Sequence, residues 1–120
     1  MRDHKTLIAW QRANAVTKWV LRSSQKYWRP HARALFDQIQ RASLSVQLNI
    51  AEGYALRSAK SFNKHLRIAY GSAVETIELL ELMEGEHLVP SGDVAIILRQ
   101  AGEARALLLG LMKRYGQSER

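Results

Sequence analysis

Apolar residues recur at steps of three and four along almost the whole chain, and three short segments interrupt this spacing. Such steps place residues on one face of an α-helix. The interruptions are Arg29-Pro30, residues 55–61 and residues 85–92, of which the last contains glycines and a proline. We therefore expect one domain over residues 1–120, with helices at about residues 6–27, 31–56, 59–84 and 93–115.

This pattern predicts an all-α protein, and the simplest packing of long helices with short loops is an antiparallel up-down-up-down four-helix bundle. In the second helix, Phe36, Leu44 and Leu48 lie off the main apolar line, so a second face of this helix is expected to be covered, which favours oligomerisation. Gly53 is costly inside a helix and indicates either a close approach of two helices or a kink. In the first helix, the predicted apolar line includes Val20 and Leu21.

Polar residues lie on two lines where the second and third helices are expected to pack. Polar groups on a packed face cost free energy unless each finds a hydrogen-bond partner. We predict that they bond to one another as a structural polar clasp, which holds these two helices together. The clasp residues are Gln38, Ser45, Asn49 and Glu52 on the second helix, and His65, Ser72 and Glu75 on the third.

Positive charge is concentrated in the first part of the chain. The net charge is +7. Residues 1–70 carry 13 Lys/Arg against 3 Asp/Glu, whereas residues 71–120 carry 5 against 8. A basic face is typical of proteins that bind nucleic acid, although a solvated surface has the same composition.

The candidate nucleic-acid-binding residues are Arg57, Lys60, Lys64 and Arg67, whose steps of three and four place them on one side of a helix. Aromatic residues are few beside them in the sequence, so we expect phosphate binding with low sequence specificity. Arg41 is a further candidate: it either pairs with a glutamate, Glu52 or Glu75, as part of the clasp or binds a phosphate.

Catalytic, metal and cofactor motifs do not emerge from the sequence. Cysteine is absent, which excludes disulfides and thiolate chemistry. A di-metal site in a helical bundle needs two Glu-x-x-His motifs, and residues 84–87 supply one that contains a glycine. His65 and Ser72 lie two helical turns apart, about 10 Å, too far for a nucleophile and its base. We predict a protein that is not an enzyme, with no cofactor, metal or small-molecule substrate.

No apolar segment approaches the roughly 20 residues that a transmembrane helix needs. The first residues also lack the apolar stretch of a secretory signal. A cytoplasmic protein without a membrane partner is therefore expected.

Several motifs resemble a known family, the four-helix-bundle proteins encoded within intervening sequences of bacterial 23S ribosomal RNA genes. These proteins are sometimes labelled as S23 ribosomal proteins, although they are not thought to be ribosome constituents. The most specific motifs are Asn49-Ile50-Ala51-Glu52-Gly53 and Ile68-Ala69-Tyr70-Gly71-Ser72, and the resemblance covers about residues 5–85. Where the family usually has two adjacent basic residues, this chain has Gln40-Arg41, and Arg57 supplies the basic residue that usually follows Gly53.

The resemblance implies a ring-like homopentamer and a relationship to the accessory variability protein of diversity-generating retroelements, a basic pentameric barrel that binds nucleic acid and a reverse transcriptase. Two hypotheses follow. The first is a homo-oligomeric accessory protein that binds RNA or DNA through phosphates. The second is a structural or adaptor oligomer whose partner is another protein, such as a reverse transcriptase.

Overall fold

A computed structural model describes residues 3–117 of the chain. Within this range the chain forms four α-helices and no strand. Short 3-10 turns, His4–Thr6 and Pro30–Ala32, precede the first two helices. The α-helices are α1 (Ile8–Tyr27), α2 (Arg33–Ala55), α3 (Ala59–Gly85) and α4 (Ser91–Gln117).

Each helix packs against two of the other three, which makes a bundle. α1 contacts α2 and α4, and α3 contacts the same two helices. The core between them has two parts. The first is built around Val20, Phe36, Leu80 and Val94, and the second around Ile50, Leu66 and Leu108. Side chains at these positions are almost fully buried, because each faces the interior of the bundle.

The observed helix ends differ from the predicted ones by a few residues. α1 begins at Ile8 rather than near Thr6, because Leu7 is extended and ends the preceding turn. α2 begins after Pro30–Ala32, which form a 3-10 turn instead of the first α-helical turn. α4 begins at Ser91 rather than near residue 93 and runs to Gln117, two residues beyond its predicted end. Residues 118–120 lie outside the described residues.

One apolar residue of α1 differs from its prediction, and the off-line apolar residues of α2 are not all alike. Leu21 does not share the core with Val20 and is 48% exposed, because adjacent residues point about 100° apart on a helix. In α2, Phe36 is fully buried, whereas Leu44 and Leu48 are 43% and 45% exposed. The off-line residues of α2 therefore divide into one core residue and an outward-facing apolar pair.

Gly53 marks a close approach of α2 and α3 rather than a kink, since α2 runs without interruption from Arg33 to Ala55. A Cβ atom at position 53 would lie 2.6 Å from the Cβ of His65 and 3.1 Å from Cδ1 of Phe62. Only a hydrogen atom fits at this point of the interface.

Within residues 3–117, each helix is too short or too polar to span a membrane.

Candidate nucleic-acid interface

A line of polar side chains joins the middle of α2 to α3. The hydroxyl oxygens of Ser45 and Ser72 lie 2.8 Å apart. The amide nitrogen of Asn49 donates to the carbonyl oxygen of Ser45 at 2.9 Å and approaches its hydroxyl at 3.2 Å. The other end of the same amide, Oδ1, lies 2.9 Å from Nδ1 of His65. These half-buried groups satisfy one another, as polar groups on a packed face must.

Charged residues extend this line at both ends. Oε2 of Glu52 lies 4.0 Å from Nδ1 of His65. At the other end the side-chain amide of Gln38 donates to Glu75, and Nη2 of Arg41 donates to Gln38 Oε1 at 3.0 Å. The structure thus brings together all seven residues expected in the clasp. Arg41 joins the line through Gln38, and not through the direct pair with Glu52 or Glu75 that was one of its two predicted roles.

The histidine and serine of this line are not arranged for nucleophilic catalysis. His65 contacts Asn49, whereas the hydroxyl of Ser72 contacts Ser45. Among the described residues, no group of three His, Asp or Glu side chains is placed to hold a metal ion. His87, the last residue of the Glu-x-x-His segment, lies beyond α3 with a φ of 56°.

Three candidate basic residues, Lys60, Lys64 and Arg67, lie on the exposed face of the first half of α3. Within the part of the chain that the structure describes, these three side chains form no ion pair. Arg57 lies just before α3, in the three-residue connection from α2. Arg41 is also exposed but lies in the middle of α2, beside Gln38. The structure therefore groups four of the five candidates at one end of the α2–α3 pair.

Arg57 has an unusual backbone conformation, with a φ of 60°. It follows the C-cap residue Leu56. This is the position at which helices commonly place a glycine, because a side chain in the left-handed region is strained. The guanidinium carbon of Arg57 lies 5.6 Å from the ring centre of Tyr54.

Aromatic side chains from three helices meet beside this basic group. The ring of Phe62 lies edge-on to Tyr54 at 5.9 Å and to Tyr115 at 4.8 Å. A second guanidinium, that of Arg114, lies 5.6 Å from the ring of Tyr115. We call the open cavity beside these rings the end pocket. It has a volume of about 160 Å³, and its lining is Gly53, Tyr54, Arg57, Ser58, Ala59, Phe62 and Tyr115.

The end pocket was not predicted from the sequence, because its aromatic residues are far apart along the chain: Tyr115 is 53 positions from Phe62. A usable signal was present. Tyr54 and Tyr115 lie in the last turns of the second and fourth helices. In the up-down-up-down bundle that the sequence predicts, these two helices run in the same direction, so their last turns are expected at the same end.

The exposed surface of α2 and α3 carries two further features. Leu44, Leu48 and Ile68 are each more than 40% exposed. They flank the polar line, so apolar surface borders it on the solvent side. The second half of α3 carries acidic side chains in place of basic ones: Glu75, Glu78, Glu81 and Glu84.

Comparison with known proteins supports the sequence resemblance. A family model described as "23S rRNA-intervening sequence protein" matches residues 5–110. Among curated proteins, no sequence matches the chain significantly.

A similar solved structure is the crystal structure of a protein with unknown function from the S23 ribosomal protein family of Bacteroides thetaiotaomicron. It is 24% identical in sequence, covers 85% of this chain and 98% of its own, and has a TM-score of 0.68. This neighbour has a similar fold, and the family match includes α1, α2 and α3 in full and most of α4. The four-helix chain is thus a member of the 23S rRNA-intervening sequence protein family.

Proposed function

We propose that the protein is a non-enzymatic, oligomeric accessory protein that binds RNA or DNA through phosphates. The observation that carries this proposal is the exposed basic group Arg57, Lys60, Lys64 and Arg67 at one end of the bundle. Lys60, Lys64 and Arg67 have no acidic partner within residues 3–117. Their like charges repel one another at helical spacing, which destabilises the free protein slightly. Bound phosphates would replace this repulsion with attraction.

The proposed architecture is an antiparallel up-down-up-down bundle that assembles as a ring-like homopentamer in the cytoplasm. The bundle topology is supported by the order of contacts, because Gln38, Ser45 and Asn49 meet progressively earlier residues of α3. Exposed Leu44 and Leu48 support self-association, since a stable subunit contact needs apolar surface. The basic and acidic halves of α3 could pair between neighbouring subunits around a ring.

A binding titration against salt tests the proposal. Four phosphate contacts predict a slope of log affinity against log salt of about −3. The double variant Lys60→Glu/Lys64→Glu should weaken binding and flatten this slope while the helical content and the melting temperature persist. An affinity that does not respond to salt would contradict phosphate binding.

Lys18→Glu/Arg22→Glu is the matched control for this experiment. It also reverses two exposed basic residues one turn apart, on α1. The net charge therefore changes equally in the two variants. If both variants lose affinity to the same extent, binding depends on total charge and not on the start of α3.

The second candidate function is a structural or adaptor oligomer that binds another protein, such as a reverse transcriptase. The exposed apolar side chains of Leu44, Leu48 and Ile68 favour it. Light scattering measures whether the protein self-associates, and Leu48→Glu should lower the mass if this surface joins subunits. The adaptor function would instead be supported if Leu48→Glu kept the mass of the unchanged protein but no longer bound a protein partner that the unchanged protein binds.

A further inference from the structure

We propose that the end pocket holds an unpaired nucleobase, so that the protein prefers single strands to duplexes. This inference rests on the proposed function and specifies its ligand. The pocket combines the two features that recognise single strands without sequence preference, aromatic rings for the base and cations for the adjoining phosphates. A base inside a duplex is stacked on its neighbours and is not free to enter such a pocket.

Two of the three aromatic rings at the cavity are accessible to a ligand. Tyr54 and Tyr115 are only half-buried, whereas Phe62 between them is 5% exposed. Phe62 therefore belongs to the core and supports two tyrosines that border an open cavity. Its volume of about 160 Å³ suits a single planar ring system rather than a peptide helix.

Positive charges lie around the cavity. Arg57 lies over the ring of Tyr54 and Arg114 over that of Tyr115, so a cation stands beside each tyrosine. Lys60 and Lys64 are exposed on α3, which begins at the pocket-lining residue Ala59. Among the lining residues that the structure describes, none is acidic. A strand whose base occupied the pocket would therefore have its neighbouring phosphates among cations.

Arg57 occupies a backbone position that favours glycine. A glycine there would relieve the strained backbone, yet an arginine occupies the site and lines the pocket. Non-glycine residues in this conformation cluster at ligand-binding sites, where the side chain is needed.

The test compares fluorescein-labelled 12-residue oligonucleotides in three forms at one salt concentration: single-stranded, duplex, and an abasic strand that keeps the phosphates without bases. RNA and DNA versions of the single strand show whether the ribose hydroxyl matters. We expect the single strand to bind at least about 5-fold more tightly than the abasic strand. Tyr54→Ala should lower single-strand affinity about 5- to 150-fold and leave abasic and duplex binding unchanged. Tyr54→Phe should retain the single-strand affinity.

Two control variants separate the pocket from general effects. Tyr27→Ala removes a tyrosine that also has a cation, Lys26, 5.4 Å from its ring centre but does not line the end pocket. It should leave all affinities unchanged. Arg57→Gly removes the guanidinium and relaxes the strained backbone. It should lower the affinity for the single strand without unfolding the protein. An unchanged melting temperature would confirm that the fold is intact.

The outcomes distinguish this inference from the proposed function. Equal binding of all three oligonucleotides, with no effect of Tyr54→Ala but a loss in Lys60→Glu/Lys64→Glu, would overturn the pocket and leave phosphate binding standing. Absence of binding to every oligonucleotide at low salt would overturn both.

Discussion

Gly53 and His65 bring α2 and α3 so close that a Cβ atom at position 53 would lie 2.6 Å from the Cβ of His65. A contact of this length forces the two helix backbones apart, because the Cβ atom of His65 cannot rotate away. The same histidine bonds to Asn49. The close approach and the polar line therefore both depend on the distance between α2 and α3 at this point. This geometry connects the stability of the fold to the candidate interface at its end.

Gly53→Ala should therefore destabilise the protein, by about 1–3 kcal/mol, although alanine ordinarily favours a helix by about 1 kcal/mol. Gly102→Ala is the matched control in α4. A Cβ there would meet nothing within 4 Å, so a gain of about 0.5–1 kcal/mol is expected. Urea unfolding at one fixed protein concentration measures both changes. If Gly53→Ala instead stabilised the protein, α2 and α3 would be able to move apart with little loss of free energy of unfolding.

The hydroxyl pair Ser45–Ser72 should couple α2 to α3 energetically. A double-mutant cycle with Ser45→Ala and Ser72→Ala isolates this contact, and we expect a coupling energy of about 0.5–1.5 kcal/mol. Both side chains are half-buried, so solvent replaces the lost bond only in part. Additive single changes would mean that the two hydroxyls stabilise the bundle independently.

Leu66 and Ile68 are neighbours on α3 that should respond differently to truncation. Leu66 is fully buried, and Leu66→Ala should cost about 2–5 kcal/mol in the free energy of unfolding. Ile68 is 46% exposed, so Ile68→Ala should cost about 0.5 kcal/mol or less in an isolated subunit. Repeating the melt over a range of protein concentrations detects a subunit contact. A cost for Ile68→Ala that grows with concentration would place this side chain between subunits.

Arg12 and Glu103 join α1 to α4 through a 2.6 Å contact between Nε and Oε2. Both side chains are more than 40% exposed, so water and salt screen their attraction. Glu103→Gln should change the free energy of unfolding by no more than about 1 kcal/mol, and the change should shrink in 1 M salt. A larger effect that persists at high salt would contradict a screened surface pair.

Some features were predictable because they are local. The apolar period of α3 predicted a helix over 59–84, and the helix observed is Ala59–Gly85. The steps from Gln38 to Glu52 and from His65 to Glu75 predicted two polar lines, and their side chains do hydrogen-bond to one another. Helical geometry alone places such residues on one face, so their common position needs no knowledge of the other helices.

Other features depended on how the helices pack. Arg41 reaches Glu75 only through Gln38, a choice of side-chain rotamers that residue spacing does not encode. Leu44 and Phe36 were alike as off-line apolar residues, yet one is 43% exposed and the other is fully buried. The angle at which each helix faces its neighbours decides such differences, and many packed side chains set this angle together.

The sequence by itself determined the helices, the polar line between two of them and the family, because each of these is encoded in short spacings along the chain. The end pocket was decided only by the tertiary structure. Tyr54, Phe62 and Tyr115 come from three helices, and their rings meet because the helices pack side by side with these ends together. The contact of Phe62 with Tyr115 joins residues 53 positions apart, a distance over which spacing carries no information about contact.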